Sequence, residues 1–359
     1  MTDDLLLPRH PAAPAPEPLR FTGTGAEYFR IWIVNLLLTI VTLGIYSAWA
    51  KVRRLQYFHR HTQLAGSGFD YHGRPAAILK GRAVAFGALV LYKIADEMHP
   101  DAGKLVALAI ALALPWVLTR SAAFRLANTS WRGLRFRFDG STADGYRTFL
   151  LWPLAALATL GALAPVAHRE ITAFHRGNAA FGRAPFAFSA TNREFYRVWL
   201  RTVGLFLGLP ALLFLTGLVL GVQATSLGGG LHGFGVTGAA TLMLLGGIAA
   251  YSGFIAAKPY FTAHIQNLVW GRTTLATHRF ECDLRFGMLL WIGVSNLVLT
   301  ILTLGLYRPF GMVRMARYRV AAITLIPGES LDDFIGERVR DVEAFGDELA
   351  DFLDIDIAL

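Results

Sequence analysis

Hydrophobic positions along the chain fall into seven long runs, which are separated by polar linkers rich in cations. Several of these runs approach or exceed the ~20 residues that an α-helix needs to cross a bilayer core. We therefore predict an all-α multi-pass membrane protein with about seven apolar segments. The runs cover residues 29–50, 83–95, 105–119, 148–167, 199–222, 237–257 and 288–310.

Short stretches of alternating apolar and polar residues lie between the apolar runs. Residues 134–140 read LRFRFDG, and residues 185–189 read PFAFS. Alternation that ends at a turn residue is typical of a short strand or hairpin. Phenylalanine, an acid, an arginine and an aromatic residue then recur three times at the same offsets, with Glu27, Asp144 and Glu194 as the acids. The sequence thus predicts a repeated unit, with short cytoplasmic β-hairpins between membrane segments.

The stretch from Asn35 to Tyr57 recurs near the other end of the chain. It reads NLLLTIVTLGIYSAWAKVRRLQY, and residues 296–318 read NLVLTILTLGLYRPFGMVRMARY, with 12 of 23 positions identical. Apolar composition alone would not reproduce the asparagine, both threonines, the glycine and both tyrosines in register, so we infer an internal duplication. The motif residues are Thr42, Gly44, Tyr46, Trp49, Arg53 and Tyr57 in the first copy, and Thr303, Gly305, Tyr307, Phe310, Arg314 and Tyr318 in the second.

This motif, TLG(I/L)Y followed by an aromatic residue and V-R-x-x-x-Y, resembles the YjgN-like family of bacterial inner-membrane proteins, whose function is unknown. The resemblance implies a multi-pass protein of the cytoplasmic membrane, and it transfers no catalytic residues. The second copy departs from the first because Met312 and Met315 stand where the first copy has Lys51 and Arg54.

Composition supports a membrane location. Hydrophobic residues make up 54% of the chain and charged residues 16%, against roughly 25% charged in soluble domains. The net charge is +9, although residues 327–359 hold eleven acidic and two basic residues. The basic excess elsewhere is typical of the cytoplasmic loops that orient membrane helices, and we expect no nucleic-acid binding. A single cysteine, Cys282, excludes an intramolecular disulfide.

Three regions follow from these patterns. Residues 1–18 are rich in proline and alanine and lack the features of a signal peptide, so we predict a disordered lead-in. Residues 19–326 form the repeat-built membrane domain. Residues 327–359 are predicted to form an acidic amphipathic helix, with Ser330 and Asp333 as a capping box. This helix is expected to dock on the basic surface of the protein, since an anionic leaflet would repel it.

The charges leave two topologies open. Three units are short and hold a single apolar run, at residues 29–50, 148–167 and 288–310, whereas the other four runs form two pairs. If the basic linkers all lie in the cytoplasm, the three short units cannot each cross the bilayer once, and they would re-enter and return or lie in the interface. Interruptions at Gly44, Gly161 and Gly305 favour such broken helices. The alternative is seven ordinary crossings with an imperfect charge bias.

Candidate functional residues are few. The apolar runs hold almost no internal charge, which argues against proton-coupled transport and against a membrane enzyme. We therefore expect no enzymatic activity, no cofactor and no metal site. The buried polar pair Asn35 and Asn296 could bind a solute or join helices. Cations near aromatic residues at headgroup depth are either anionic-lipid contacts or plain topology anchors, and they are Lys51, Arg53, Arg54, Arg308 and Arg314.

Two functions agree with this sequence. Duplication with broken helices favours a channel or transporter for a small solute or lipid. The alternative is a non-enzymatic scaffold that recruits a partner through its strand layer and acidic tail. A channel or transporter predicts Asn35 and Asn296 in one cavity, whereas a scaffold predicts both between packed helices. The expected partners are membrane lipids, anionic ones among them, and either a second copy or another protein.

Overall fold

The computed structural model describes residues 15–208, 210–212, 214–217, 219, 231–337 and 340. Short strands alternate with pairs of helices along the chain. The strands are β1 (Glu17–Pro18), β2 (Arg20–Phe21), β3 (Thr62–Leu64), β4 (Ser67–Tyr71), β5 (Thr129–Trp131), β6 (Leu134–Phe138), β7 (Ala179–Phe181), β8 (Ala184–Phe188), β9 (Thr273–Leu275), β10 (His278–Cys282) and β11 (Ile323–Ile326). The helices are α1 (Gly25–Val41), α2 (Ser47–Arg60), α3 (Pro75–Met98), α4 (Pro100–Ala127), α5 (Thr142–Tyr146), α6 (Trp152–Ala158), α7 (Ala164–Gly177), α8 (Asn192–Val203), α9 (Leu231–Gly271), α10 (Phe286–Leu302) and α11 (Arg308–Ala321), with π-helical turns at Arg147–Leu151 and Gly204–Gly208.

All eleven strands belong to one antiparallel sheet. Its order follows the chain from β2 to β11, and β1 pairs with β11 at the other edge. Only Leu19 separates β1 from β2, and its N–H donates to the carbonyl of Ile323 at 2.9 Å. The chain itself therefore joins the two edges of the sheet into a nearly closed ring, which leaves little free strand edge.

The predicted all-α multi-pass fold with separate hairpins is wrong. The strands form one continuous sheet, and among the described residues only two helices, Pro100–Ala127 and Asn192–Gly217, are long and apolar enough to cross a membrane. The local alternation was sufficient to predict strands, as at β6. The alternation does not indicate which strands pair when two helices separate them in the sequence. One example is β4 with β5, where Phe69 lies opposite Trp131 although α3 and α4 come between them.

The recurring acid of the sequence pattern has a structural role at helix starts. The hydroxyl of Thr24 accepts from the N–H of Glu27, and the Glu27 carboxylate accepts from the N–H of Thr24, both at 3.3 Å. Thr191 and Glu194 form the same reciprocal capping box at α8, which satisfies backbone donors that a helix start leaves free. The pattern therefore marks where a helix leaves the sheet.

The interior of the ring is apolar. On β6, Leu134 is buried while Arg135 is exposed, as the strand alternation requires. Phe181 lies at the centre with 1% of its surface exposed, and its ring contacts Trp131 and Phe136 at centroid distances of 5.7 and 5.0 Å. This interior is the main hydrophobic core of the molecule.

The terminal regions are partly described. Glu17–Pro18, which the sequence placed in the lead-in, form β1, while residues 1–14 lie outside the described residues. Residues 331–337 of the predicted acidic helix are helical, and most of its remainder is not described. Phe334 packs into the ring, and Asp332 accepts from Arg132 at 2.5 Å, so the described part of the tail is held by an apolar contact and one ion pair.

A cationic junction between helix hairpins

Each of the three short units folds as a helical hairpin that reverses at Thr-Leu-Gly. The turns are Thr42–Gly44, Thr159–Gly161 and Thr303–Gly305. The leucines have φ of 49°, 51° and 48°, and the glycines have φ of 93°, 89° and 93°. Each threonine hydroxyl accepts from the N–H four residues later, at 2.9, 3.1 and 2.9 Å. The sequence comparison did not identify Thr159–Gly161 as a third copy of the Thr-Leu-Gly turn, although the same three residues occur there.

The hairpin tips are apolar and fully exposed. Leu43, Leu160 and Leu304 expose 95%, 97% and 95% of their surface. Both ends of a hairpin return to the sheet: β2 precedes α1, β3 follows α2, and the two strands pair through Phe21 and Thr62. With 17 residues, α1 extends roughly 25 Å from the ring. The hairpins are therefore apolar projections from one polar base.

The repeated tyrosine closes the base of each terminal hairpin. The Tyr57 hydroxyl donates to the carbonyl of Thr24 at 2.8 Å. In the second copy the Tyr318 hydroxyl accepts from the N–H of Arg285 at 2.8 Å. Thr24 and Arg285 are the N-cap residues of α1 and α10. The other repeated aromatic residues stack in pairs, Trp49 on Tyr46 at 6.0 Å and Phe310 on Tyr307 at 5.8 Å.

Closure of the ring brings the first and last hairpins together, so that the rings of Phe29 and Phe310 lie 5.6 Å apart. A cavity of about 380 Å³ lies between α1, α2, α11 and the first turns of α3. We call it the terminal junction, and its polar lining is formed chiefly by Asn35, Lys51, Arg54, Arg82 and Arg308. Arg82 comes from α3 and was not among the candidates drawn from the sequence.

The terminal junction carries uncompensated positive charge. None of its four cations has an acidic partner within 4.0 Å in the described part of the chain. Arg82 donates to the hydroxyl of Ser47. Burial, and then repulsion from Arg82 and Arg54, lowers the pKa of the Lys51 ammonium, which lies outside both helices long enough to cross a membrane. An anion bound here would relieve this repulsion.

The two repeated asparagines have different environments. Asn35 is 6% exposed, and its Oδ1 is buried without a hydrogen-bond partner among the described residues. Asn296 donates from Nδ2 to the carbonyl of Gly311 at 3.0 Å, and its Oδ1 accepts from Arg314 at 3.4 Å. A Cβ at position 311 would lie 3.1 Å from Asn296 Cγ, and the first copy has Ala50 there. Only Asn35 therefore lines the terminal junction.

The candidate cations are likewise divided. Lys51, Arg54 and Arg308 meet at the terminal junction. Arg53 lies over the ring of Tyr46, at 5.7 Å from its centroid, and lines a different cavity. Arg314 donates to the hydroxyl of Ser295 at 2.7 Å. Among the residues that the structure describes, no three histidine, cysteine, aspartate or glutamate side chains are grouped to hold a metal ion.

Hairpin tips that are apolar and fully exposed, as these are, form a surface of the kind that contacts a membrane or another protein. The chain belongs to the family described as "Bacterial protein of unknown function (DUF898)", whose model matches residues 16–352. The resemblance of the repeated motif to the YjgN-like family is thereby confirmed.

Named relatives agree with this membership. "Inner membrane protein YjgN" of Salmonella typhimurium (strain LT2) is 31% identical over 144 residues, or 40% of this chain and 36% of the relative. The protein of the same name from Escherichia coli (strain K12) is 29% identical over 143 residues, or 39% and 36%. The matched part spans about 36% of the length of these relatives. No solved structure matches the chain. The chain is therefore a bacterial inner-membrane protein of unknown activity.

Proposed function

We propose that the protein is a channel or transporter for a lipid or small solute, and that it binds an anionic headgroup at the terminal junction. The observation that carries the proposal is the set of four cations around one cavity, without acidic partners among the described residues, beside exposed apolar hairpins. Arginine binds phosphate through paired hydrogen bonds, and clustered cations next to membrane helices attract anionic lipids. Asn35 lines the same cavity, and its Oδ1 is buried without a hydrogen-bond partner among the described residues.

The proposed placement puts the ring, the basic linkers and the C-terminal tail in the cytoplasm. The three hairpins enter the bilayer from that side and return. Pro100–Ala127 and Asn192–Gly217 cross it, and their partners α3 and α9 cross it in the opposite direction, because both ends of each helix pair belong to the same sheet. Backbone that turns within a bilayer must satisfy its own polar groups. The turns meet this requirement: the Gly44 N–H donates to the carbonyl of Thr39 at 2.8 Å, and the Thr42 hydroxyl accepts from the N–H of Tyr46.

The alternative function is a non-enzymatic scaffold that recruits a partner through its strand layer and acidic tail. The described part of that tail is engaged within the molecule, because Phe334 is buried in the ring and Asp332 binds Arg132. This favours lipid or solute handling over recruitment. Both proposals assign no catalytic residue, and both take membrane lipids as the first partner.

Removing two of the four cations of the terminal junction is expected to weaken binding of anionic lipid about tenfold or more, since a charge-assisted hydrogen bond contributes roughly 1.5–3 kcal/mol. The variant is Arg54→Gln combined with Arg308→Gln. Retention of phosphatidylglycerol would be measured by native mass spectrometry of protein released from nanodiscs. Arg53→Gln is the matched control, since Arg53 neighbours Arg54 on α2 and faces a different cavity. Equal losses in Arg53→Gln and the double variant would show that overall charge, rather than this site, retains the lipid.

A further inference from the structure

The interior of the ring holds a second cavity, which is separate from the terminal junction. Its volume is about 410 Å³. The walls are almost entirely apolar and aromatic, with Trp131, Phe136, Phe181, Phe186, Phe280 and Leu325 among them. A cavity of this kind can enclose the hydrocarbon part of a ligand. We call it the ring lumen.

One rim of the ring lumen is cationic. The last turns of α4, α7 and α9 meet there and contribute Arg125, Arg176 and Trp270. The Arg176 guanidinium lies over the indole of Trp270, at 4.2 Å from the ring centroid. Arg176 has no hydrogen bond or ion pair with any residue in the described part of the chain. Burial lowers the pKa of Arg176, and contact with an aromatic face offsets only part of the lost hydration.

The opposite end of the ring lumen is closed by residues 331–337. Phe334 lies there, and its ring stands edge-on to His278 at a centroid distance of 4.5 Å. His278 is fully buried. Its Nδ1 accepts from the N–H of Gly328 at 3.2 Å, and Nε2 has no hydrogen-bond partner among the described residues. A second polar atom is thus left unsatisfied at the far end of the cavity.

A purely structural role explains only part of this arrangement. Cations near helix C-termini interact favourably with the carbonyls there. Arg125 does so, since its Nε donates to the carbonyl of Ser121 at 3.4 Å. Arg176 donates to no carbonyl of the described chain and instead lies over Trp270 at the rim of the ring lumen. The Arg176 guanidinium therefore has its aromatic contact but no carboxylate or carbonyl partner among the described residues.

We propose that the ring lumen binds a single-chain anionic amphiphile, an acyl carboxylate, with the carboxylate on Arg176 and the hydrocarbon chain among the aromatic walls. The methyl end of the ligand's hydrocarbon chain then lies against Phe334 and His278. The ligand class follows from the combination of an apolar cavity with two cations at its rim, Arg125 and Arg176, neither of which has an acidic partner within 4.0 Å among the described residues. This site goes beyond the proposed lipid site, because it uses none of the residues of the terminal junction.

Photolabelling with a fatty acid that carries a diazirine near its methyl end tests the proposal. The full chain would be labelled in nanodiscs of uncharged lipid, and the labelled peptides would be identified by mass spectrometry. We expect labels on β8 to β10 and on residues 331–337, with competition by dodecanoate and little by dodecanol. Arg176→Gln is expected to lower this labelling about tenfold or more. Arg176→Lys is expected to retain most of it, and Arg135→Gln, which removes an exposed cation from the ring, is expected to change nothing.

Equal competition by dodecanol, or unchanged labelling in Arg176→Gln, would overturn the proposal. Should Arg176→Gln fail to fold, Ala179→Leu provides the second test. This substitution narrows the ring lumen without removing charge, so undiminished labelling of a folded Ala179→Leu protein would also contradict the site. The Arg54→Gln and Arg308→Gln double variant is expected to label normally. The proposed ligand site in the ring lumen and the proposed lipid site at the terminal junction can therefore be refuted separately.

Discussion

Replacing Phe181 by alanine is expected to lower the free energy of unfolding by about 3–5 kcal/mol, the usual cost of deleting a buried aromatic ring. The Phe181 side chain is 1% exposed and contacts Trp131 and Phe136 from β5 and β6. It also stacks with Phe334 at 6.3 Å, so the substitution loosens the residues that close the ring lumen. Denaturant titration of the protein in mild detergent, followed by tryptophan fluorescence, would measure the change.

Phe86→Ala is the control for that loss. Phe86 lies on α3 with 68% of its surface exposed, so its removal leaves no cavity and is expected to cost well under half as much. Similar losses in both variants would contradict the assignment of the ring interior as the main hydrophobic core.

Replacing Leu43 and Leu304 by aspartate is expected to reduce membrane integration strongly. Both leucines have a left-handed backbone, with φ near 49° and 48°. Aspartate adopts that conformation more readily than leucine does. If these tips faced water, the substitutions would be neutral or stabilising. At bilayer depth an aspartate costs about 2.5–3.5 kcal/mol on insertion scales. We therefore expect the substitutions to destabilise the membrane-inserted protein rather than to stabilise it. The fraction of protein that stays in carbonate-washed membranes measures this effect.

Ala276→Asp is the matched control for the hairpin tips. Ala276 is exposed and has φ of 49°, but it lies in the turn between β9 and β10 of the ring. We expect this substitution to leave membrane integration unchanged. If the tip variants stay in membranes as fully as Ala276→Asp does, the hairpin tips do not enter the bilayer.

Local patterns in the sequence predicted local structure well. The alternation from Leu134 onward corresponds to β6, and the break at Gly44 corresponds to a turn between two helices. The closed ring was not predictable in this way. The alternation within a strand of two to five residues indicates which face is buried. It does not indicate that β4 pairs with β5 across two helices, or that Leu19 joins the two edges of the sheet.

The candidate site shows the same division. Lys51, Arg54 and Arg308 come together as headgroup candidates because ring closure places the two ends of the chain side by side. Arg82 joins them from α3, at a position that no motif marks. The asparagine pair separates for a steric reason, since the glycine that admits the hydrogen bond of Asn296 is Ala50 in the first copy. Identity in sequence thus did not ensure identity of environment.

Cysteine accessibility in intact cells tests the central claim, that the hairpins return to the side from which they enter. On a Cys282→Ser background, single cysteines would replace Arg135 and Thr277, which are exposed in the ring, and His99, which lies between α3 and α4. We predict that a membrane-impermeant maleimide labels position 99 from outside, and positions 135 and 277 only after permeabilisation. Labelling of positions 135 and 277 from opposite sides would contradict the account, because either the hairpin of α6 and α7 or the pair of α8 and α9 would then fail to return the chain to the side of the ring.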